Sequence, residues 1–330
     1  SIFFYFHVSC VLVGTYSLNL WFHIGACGCY DSVFFTSHSI DRGMEKPVGK
    51  IIAIGGSEDK GENWEVNDIT EESLHFFELG ILRRILNELK GADSVIEVVT
   101  TASRIPVEVG AVYRAAFQKL GCRNVGIIDV RDAAQACDPQ YEERIGRADG
   151  VLFSGGDQLR LVKIFQGTKF IEIVKHRYRN EPFMIAGTSA GAMAMGDVMI
   201  FRGSSSEALL KGELKITAGF GFVPDVIIDT HFVRRNRFGR LIQSVAYHPT
   251  NIGFGLGEDT AIIMTEGNKL ETIGSGLVVV VDGHEIKSTD MAHAPHGRPI
   301  TLEHVVLHIL ASRSCFHLDD RRVHYQPSAD

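Results

Sequence analysis

The apolar run Phe183–Ala186 leads directly into residues 187–191 (GTSAG), and the fold prediction starts from this stretch. A short apolar run that ends at a glycine turn is typical of a buried strand. The five residues after it fit the pattern G-x-S-x-G, in which a serine stands on a sharp turn between a strand and a helix. The residues around the turn supply that strand and that helix, so an α/β arrangement is predicted around Ser189.

The same alternation of strands and helices continues towards the N-terminus. Apolar runs predict strands at residues 50–54, 95–100, 124–129 and 150–153. Helical patterns are predicted at residues 68–89, 106–120, 138–147 and 157–179. Strands that are apolar throughout indicate a parallel sheet with both faces covered by helices. We therefore predict a mostly parallel, doubly wound α/β sheet.

The C-terminal part has a different pattern. Strands are predicted at residues 226–228, 261–264, 270–273 and 278–281, without helices between them. Such strands suit an antiparallel edge or a small second sheet. We find no internal repeat, low-complexity tract or linker, so residues 44–330 are predicted to form a single α/β domain.

Composition excludes several classes of protein. The chain has 330 residues, of which 45% are hydrophobic and 22% charged, so it is neither disordered nor collagen-like. The formal net charge of −7 provides no overall basic field for a nucleic acid or an anionic membrane. Neither of these partners is predicted.

Residues 1–43 differ from the rest of the sequence. They contain no Lys and no Glu, yet they carry three of the six cysteines. Their apolar stretch is shorter than the roughly 20 residues of a membrane span, and no basic residue precedes it as in a secretory signal. We predict a non-native or disordered extension, with translation starting at Met44 and a cytoplasmic location. The alternatives are a truncated signal or anchor segment, which implies a secreted form, and a genuine folded element.

Two glycine-containing turns predict donors for an oxyanion. The N–H of Ala190 stands at the start of the helix after Ser189, and residues 154–158 (SGGDQ) end the neighbouring strand at the same edge of the sheet. Glycines allow the main chain to approach a substrate closely. The candidate groups in this second loop are Gly155, Gly156 and Gln158. The alternative for both loops is a plain strand-to-helix turn, with Asp157 as the N-cap in the second.

His231 is the candidate general base for Ser189. A hydroxyl near its free pKa is a poor nucleophile and needs a base, and His231 follows a third predicted strand. A lone histidine is more often structural, but the position of both residues at strand ends favours a catalytic pair. An acid must hold the imidazole tautomer. Glu207 is the best placed in sequence, and the alternatives at another strand end are Glu258 and Asp259.

Four arginines lie within a stretch of seven residues just past His231: Arg234, Arg235, Arg237 and Arg240. Guanidinium groups pair with carboxylates through two parallel hydrogen bonds, so the group indicates an anionic substrate. The alternative is a solvated basic helix face. The sequence has neither a phosphate-binding glycine motif nor an H-E-x-x-H or C-x-x-C motif, so no cofactor and no metal are predicted.

These motifs together resemble the cyanophycinase family of serine peptidases, which is related to aspartyl dipeptidase. The resemblance runs through most of residues 48–310, and five motifs in this order are far more specific than any one of them. The motifs are IIAIGGSEDK (51–60), FSGGDQLRL (153–161), AGTSAGAMAM (186–195), DTHFVRRNRFGRL (229–241) and GLGEDTAI (255–262). The resemblance implies a class I glutamine-amidotransferase-like fold and a homodimer.

The resemblance also implies an activity, the hydrolysis of cyanophycin to β-Asp-Arg dipeptides. Cyanophycin is a poly-aspartate with arginine attached to each β-carboxyl. The resemblance assigns Ser189 as nucleophile, His231 as base and Glu207 as the orienting acid. It places five residues in the substrate pocket: Gln158, Asp229, Arg235, Arg237 and Arg240.

Three alternatives accompany this expectation. An aspartyl dipeptidase of the same family needs fewer contacts, so the arginine group favours the polymer. A non-catalytic amidotransferase-like binding protein is disfavoured because Ser189, His231 and an intervening acid are all present. A general esterase fits G-x-S-x-G but does not explain the arginines. The sequence departs from the family pattern at Thr230, where Gln is expected, and the shorter side chain is predicted to loosen a substrate contact.

Overall fold

Apolar strands form the centre of the fold in the computed structural model, which describes three ranges of the chain: residues 46–57, 80–205 and 207–324. The predicted extension over residues 1–43 lies outside the described residues, and so does the first part of the predicted helix 68–89. All described residues belong to one unit, Glu45–Asp330.

The strands have these bounds: β1 Lys50–Ile54, β2 Val95–Val99, β3 Asn124–Ile128, β4 Gly150–Phe153, β5 Met184–Thr188, β6 Val198–Arg202, β7 Lys215–Ala218, β8 Val226–Asp229, β9 Ile252–Leu256, β10 Thr260–Thr265, β11 Lys269–Gly274, β12 Val278–Asp282, β13 Ser288–Thr289, β14 Leu302–Glu303, β15 Val306–Leu310, β16 Cys315–His317 and β17 Arg322–His324. The helices have these bounds: α1 Ile81–Asn87, α2 Pro106–Lys119, α3 Pro139–Arg147, α4 Gln158–Phe165, α5 Lys169–Asn180, α6 Ala190–Met193 and α7 Phe238–Tyr247, with short 3₁₀ helices at Gly91–Asp93 and Gln135–Cys137. The predicted helix 157–179 is two helices, because the chain turns at Gly167 with a φ of +76°. In the described part of the chain, no helix combines the length and the apolar composition needed to cross a membrane.

Within the described ranges, nine strands form the main sheet in the order β17-β16-β11-β10-β1-β5-β4-β2-β3. The five strands from β1 to β3 in this order are parallel to one another. On the other side of β1, strands β10, β11, β16 and β17 continue the sheet in antiparallel pairs. The prediction of a parallel α/β sheet with an added antiparallel element is confirmed.

Both faces of the parallel part are covered. Along β1, Ile51 and Ala53 belong to one buried cluster, whereas Ile52 and Ile54 belong to another on the opposite face. Helices α4 and α5 contribute to the first cluster, and α1 and α2 contribute to the second. Because successive side chains of a strand point to opposite faces, a strand covered on both sides must be apolar throughout.

A second sheet has the order β15-β12-β9-β8 among the described residues. The four predicted C-terminal strands are therefore divided, since β10 and β11 join the main sheet while β8 and β12 join the second. The prediction that no helix separates these strands is wrong between β8 and β10, where helix α7 and the unpredicted strand β9 follow β8. Strands β8 and β9 are neighbours in the second sheet. They are parallel, and helix α7 connects them, because parallel neighbours need a crossover connection.

Candidate active site

Ser189 stands at the turn between β5 and α6, as the G-x-S-x-G pattern predicts. Its backbone has a φ of 51° and a ψ of −112°, a conformation that non-glycine residues rarely adopt. The Ser189 N–H donates to the carbonyl of Ile54 at 2.9 Å, which ties the turn to the end of β1. The Oγ atom of Ser189 lies 3.0 Å from Nε2 of His231.

His231 follows β8 and also has a positive φ, of 49°. Its Nδ1 atom lies 2.7 Å from Oε1 of Glu258. A carboxylate accepts hydrogen bonds, so Nδ1 carries the proton and Nε2 is left to accept the hydrogen bond from the hydroxyl of Ser189. Serine, histidine and glutamate thus form a continuous chain of hydrogen bonds.

The prediction that Glu207 holds the imidazole is wrong in this geometry. Glu207 is exposed between β6 and β7, and its main-chain carbonyl accepts the N–H of Leu210 at 3.0 Å. Asp259, an alternative from the sequence, accepts a hydrogen bond from Oγ of Ser275 at 2.7 Å. Glu258, the other alternative, is the carboxylate that reaches His231. It lies on the turn between β9 and β10, which the sheet brings beside the end of β1.

The surroundings of the imidazole favour its neutral form. Burial is the largest influence and lowers the pKa of His231 below its ordinary value. The hydrogen bond with Glu258 opposes this shift, whereas the nearby guanidinium group of Arg235 adds to it. Burial alone would raise the pKa of Glu258, but the hydrogen bonds from His231 and Arg234 outweigh it and hold that pKa below its ordinary value. A neutral imidazole beside an ionised carboxylate is the state that can accept a proton from Ser189.

The residues at the end of β1 hold the segments that carry Ser189, His231 and Glu258 together. Besides the carbonyl of Ile54, which accepts from Ser189, the carbonyl of Gly55 accepts the N–H of His231 at 2.8 Å. The carbonyl of Gly56 accepts the N–H of Asp259, next to Glu258, at 2.9 Å. These bonds join residues far apart in the chain, so the Gly-Gly-Ser turn after β1 (55–57) is by itself only a weak signal of them in the sequence.

Gly56 also lies directly against the imidazole ring. Its φ is +102°, and a Cβ atom at this position would lie 2.6 Å from Nε2 of His231 and 3.2 Å from Nδ1. A side chain here would therefore occupy the space of the ring. The doubled glycine in the sequence was the available signal for this close approach.

The structure brings two of the three predicted main-chain oxyanion donors to the serine. Ala190 directly follows Ser189 and begins α6. Gly155 lies against the serine, since a Cβ atom there would be 3.3 Å from Cβ of Ser189 and 3.8 Å from Oγ. Gly156 has a φ of +141° and lies against the main chain of Ala102, with the N atom of Ser103 2.8 Å from the position of a Cβ.

Asp229, predicted to contact substrate, is fully buried at 0% exposure and pairs with two arginines instead. Its Oδ2 atom lies 2.5 Å from Nε of Arg240, and its Oδ1 atom lies 3.1 Å from Nη1 of Arg237 and also accepts from Nη2 of Arg240. Arg240 is 5% exposed, so Asp229 and Arg240 neutralise each other inside the protein. The sequence predicted that Asp229 and Arg240 contact the substrate directly, but in the structure both side chains are buried and paired with each other. Burial lowers the pKa of Arg237 to about 10, with Asp229 opposing the shift.

The other predicted pocket residues have different surroundings. Arg235 is exposed, and its carbonyl accepts from Oγ of Ser205 at 2.6 Å. Gln158 donates from Nε2 to the carbonyl of Ile200 at 3.0 Å, which ties α4 to β6. Thr230 is fully buried, and its Oγ1 atom has no hydrogen-bond partner among the described residues.

Asp157, in the same loop as Gly155 and Gly156, accepts from the main-chain N–H groups of Leu159 and Arg160 at 2.9 and 3.0 Å. It therefore acts as the N-cap of α4, which was the structural alternative for this loop. Candidate metal ligands occur elsewhere in the described residues, on the hairpin of β16 and β17: His317, Asp320 and His324.

A serine on a strand-to-helix turn, hydrogen-bonded to a histidine whose second nitrogen meets a carboxylate, is the arrangement of a serine-type hydrolase. The sequence matches peptidase family S51 over residues 77–273, and the chain belongs to this family. The protein is therefore a serine-type peptidase.

Named relatives agree with this family. The chain is 36% identical to a cyanophycinase of Nostoc sp. over 273 residues, which cover 83% of this chain and 87% of that protein. It is 34% identical to a cyanophycinase of Synechococcus elongatus over 278 residues, 84% of this chain and 82% of that protein. A crystal structure of a peptidase from an acI-B1 Actinobacterium matches 83% of this chain and 99% of its own, with a TM-score of 0.51 and 21% identity, and shares the fold.

Proposed function

We propose that the protein is a serine exopeptidase that hydrolyses cyanophycin to β-Asp-Arg dipeptides. The observation that carries the chemistry is the pair of contacts at His231, with Ser189 at 3.0 Å on one ring nitrogen and Glu258 at 2.7 Å on the other. The substrate is supported by relatives that bear the name cyanophycinase at 34–36% identity over most of this chain.

The reaction follows from this geometry. Oγ of Ser189 attacks a main-chain carbonyl carbon of the aspartyl chain while Nε2 of His231 takes the hydroxyl proton. Glu258 keeps the proton of the imidazole on Nδ1 and stabilises the imidazolium that forms. The imidazolium then gives its proton to the leaving amine as the C–N bond breaks. Water attacks the resulting ester by the same proton transfers and releases the acid and free Ser189.

Two main-chain donors are proposed to stabilise the negative oxygen of the tetrahedral intermediates. The N–H groups belong to Ala190 at the start of α6 and to Gly155 in the loop after β4, and both residues adjoin Ser189. Donors fixed by the fold need no reorganisation when the charge develops, which is why such groups contribute strongly to catalysis. Gly156 is proposed to shape the loop rather than to donate.

Arg235 is proposed to bind a carboxylate of the substrate. It is exposed, it lies close enough to lower the pKa of His231, and cyanophycin ends in a free carboxylate. Arg237 keeps a partly exposed side chain and is positioned by Asp229. Gln158 is proposed to border the substrate by its position beside the SGG turn (154–156).

The proposal extends to the organisation of the enzyme. Residues 44–330 are proposed as the catalytic domain, with residues 1–43 as an extension that the reaction does not use. The enzyme is proposed to act in the cytoplasm as a homodimer, as the family resemblance implies, and to need neither nucleic acid nor a membrane. The serine chemistry described above uses no metal and no cofactor. Light scattering of the purified full chain measures the oligomeric state.

The full chain incubated with purified cyanophycin is expected to release β-Asp-Arg, detected by mass spectrometry. Ser189→Ala is expected to abolish release, and Glu258→Gln to reduce kcat by about 10⁴-fold, as loss of the orienting acid does in other serine enzymes. Glu207→Gln is the matched control and should keep parental activity. Undiminished release by Ser189→Ala would refute the proposal. Cleavage of aspartyl dipeptides without release from the polymer would assign the protein to the dipeptidase alternative.

A further inference from the structure

The hairpin of β16 and β17 presents two histidines on its outer face. Its strands pair with Phe316 opposite Val323, and these two side chains face the core, where Phe316 is fully buried. Alternate residues of a strand point to opposite faces, so His317 and His324 project together on the other side. Their rings stack with centroids 3.9 Å apart and an angle of 22° between the ring planes.

Asp320, in the turn between the two strands, completes the cluster. Its Oδ1 atom accepts the main-chain N–H of Arg322 at 3.1 Å, which fixes the orientation of the carboxylate. Its Oδ2 atom lies 2.7 Å from Nε2 of His324. One nitrogen from each histidine and one carboxylate oxygen all lie within 4.8 Å of one another.

We propose that His317, Asp320 and His324 form a binding site for a divalent transition-metal ion, with Zn²⁺ as the best fit. Imidazole nitrogen with one carboxylate oxygen is a donor set that suits Zn²⁺, whereas Ca²⁺ and Mg²⁺ prefer oxygen ligands alone. Tetrahedral zinc with bonds of about 2.0–2.2 Å spaces its ligand atoms about 3.3 Å apart, so side-chain rotation has to adjust the three positions and slightly separate Oδ2 of Asp320 from Nε2 of His324. The ion replaces the proton shared by His324 and Asp320, and water completes the coordination.

The charges around the cluster are compatible with a cation. Two basic residues lie opposite His317 in the ladders. Arg322 of β17 has an exposed side chain that is long enough to extend into water, and Nζ of Lys269 on β11 pairs with Oε1 of Glu266 at 2.6 Å. Arg321 is engaged elsewhere, with Nη1 2.5 Å from Oδ1 of Asp282. The carboxylate of Asp320 therefore faces the two imidazoles, which are neutral when they bind a metal.

This site is separate from the proposed active site. Within the described part of the main sheet, β17 is five strand positions from β5, which corresponds to about 24 Å at the usual spacing of neighbouring strands. An ion here would not act on the reacting bond. It would instead fasten β17, a short edge strand that pairs only with β16 among the described strands, to its neighbour.

Isothermal titration of the full chain with ZnCl₂ tests the proposal. The parent should bind one more equivalent of Zn²⁺ than the double variant His317→Gln/His324→Gln, which controls for cysteines and histidines elsewhere in the chain. Loss of an outer-shell partner costs zinc sites about 10–100-fold in affinity, so removal of a direct ligand by Asp320→Asn should weaken this site by about 100-fold. His293→Gln, which replaces another exposed histidine, should bind like the parent.

The melting temperature provides a second measurement on the same proteins. Zn²⁺ should raise it in the parent and in His293→Gln, and raise it less in the double variant. Circular dichroism without metal checks that the variants fold. If the double variant does not fold, the affinity of Asp320→Asn for Zn²⁺ tests the proposal by itself. Equal stoichiometry and affinity in the parent and in the folded variants would overturn the proposal.

Discussion

Replacing Gly56 by alanine is the sharpest test of how the fold positions His231. The added Cβ atom would lie 2.6 Å from Nε2 of the imidazole, and ordinary van der Waals contact begins at 3.4 Å. Cε1 of the ring would lie closer still, so the ring would have to withdraw by about 1.0 Å. Since Nε2 lies 3.0 Å from Oγ of Ser189, a displacement of this size weakens or breaks the hydrogen bond on which proton transfer depends.

The expected loss follows from that displacement. A misplacement of about 1 Å at a reacting group costs on the order of 100-fold in rate, so Gly56→Ala should reduce kcat for cyanophycin by about 100-fold. The φ of +102° adds a cost in stability of about 1–2 kcal/mol for any residue with a Cβ atom. The two effects are separable, because the first acts on the rate and the second on the free energy of unfolding.

Gly121→Ala is the matched control for the backbone effect. Gly121 has a similar φ of +93°, and the nearest heavy atom to an added Cβ is 3.8 Å away, so only the conformational cost is introduced. We expect similar losses of stability in the two variants by urea denaturation, but a large loss of β-Asp-Arg release in Gly56→Ala alone. Equal activity of the two variants would refute the view that Gly56 sets the position of the ring.

Three further outcomes are expected. The imidazole must be neutral to act as a base and burial lowers its pKa, so kcat/KM should fall only below about pH 6.5. Arg235→Gln removes a cation that lowers the pKa of His231 and should therefore move this acid limb of the pH profile to higher pH. An unchanged acid limb would contradict this expectation. Asp229→Asn leaves the buried guanidinium group of Arg240 and the partly exposed one of Arg237 without their counter-charge. It should lower the free energy of unfolding by about 3–5 kcal/mol in urea denaturation, and a loss below about 1 kcal/mol would refute this expectation. Thr230→Val removes a buried hydroxyl that has no hydrogen-bond partner among the described residues, so it should stabilise the protein by about 1 kcal/mol in the same assay. Destabilisation would show that the hydroxyl makes a stabilising hydrogen bond.

Much of the fold could be predicted from local patterns. The apolar run before Ser189 predicted the central strand β5, and the glycines after it predicted the turn. Continuous apolar strands predicted a sheet covered on both faces, and Ile51 and Ile52 do lie in separate buried clusters. These properties depend on neighbouring residues and on the period of the chain, which a sequence displays directly. The division of the C-terminal strands between two sheets depends on pairing between distant segments and was not visible.

For the active site, too, part of the arrangement could be predicted from local patterns and part depended on contacts between distant segments. The sequence by itself determined that a serine and a histidine stand at strand ends, because each follows an apolar run whose end is marked in the chain. Only the tertiary structure decided that Glu258 rather than Glu207 meets His231, since β10 pairs with β1 and carries the preceding turn to that edge. It also decided that Asp229 forms a buried ion pair with Arg240. Which carboxylate reaches a cation or an imidazole depends on strand order and burial, and hydrogen bonds between distant strands determine both.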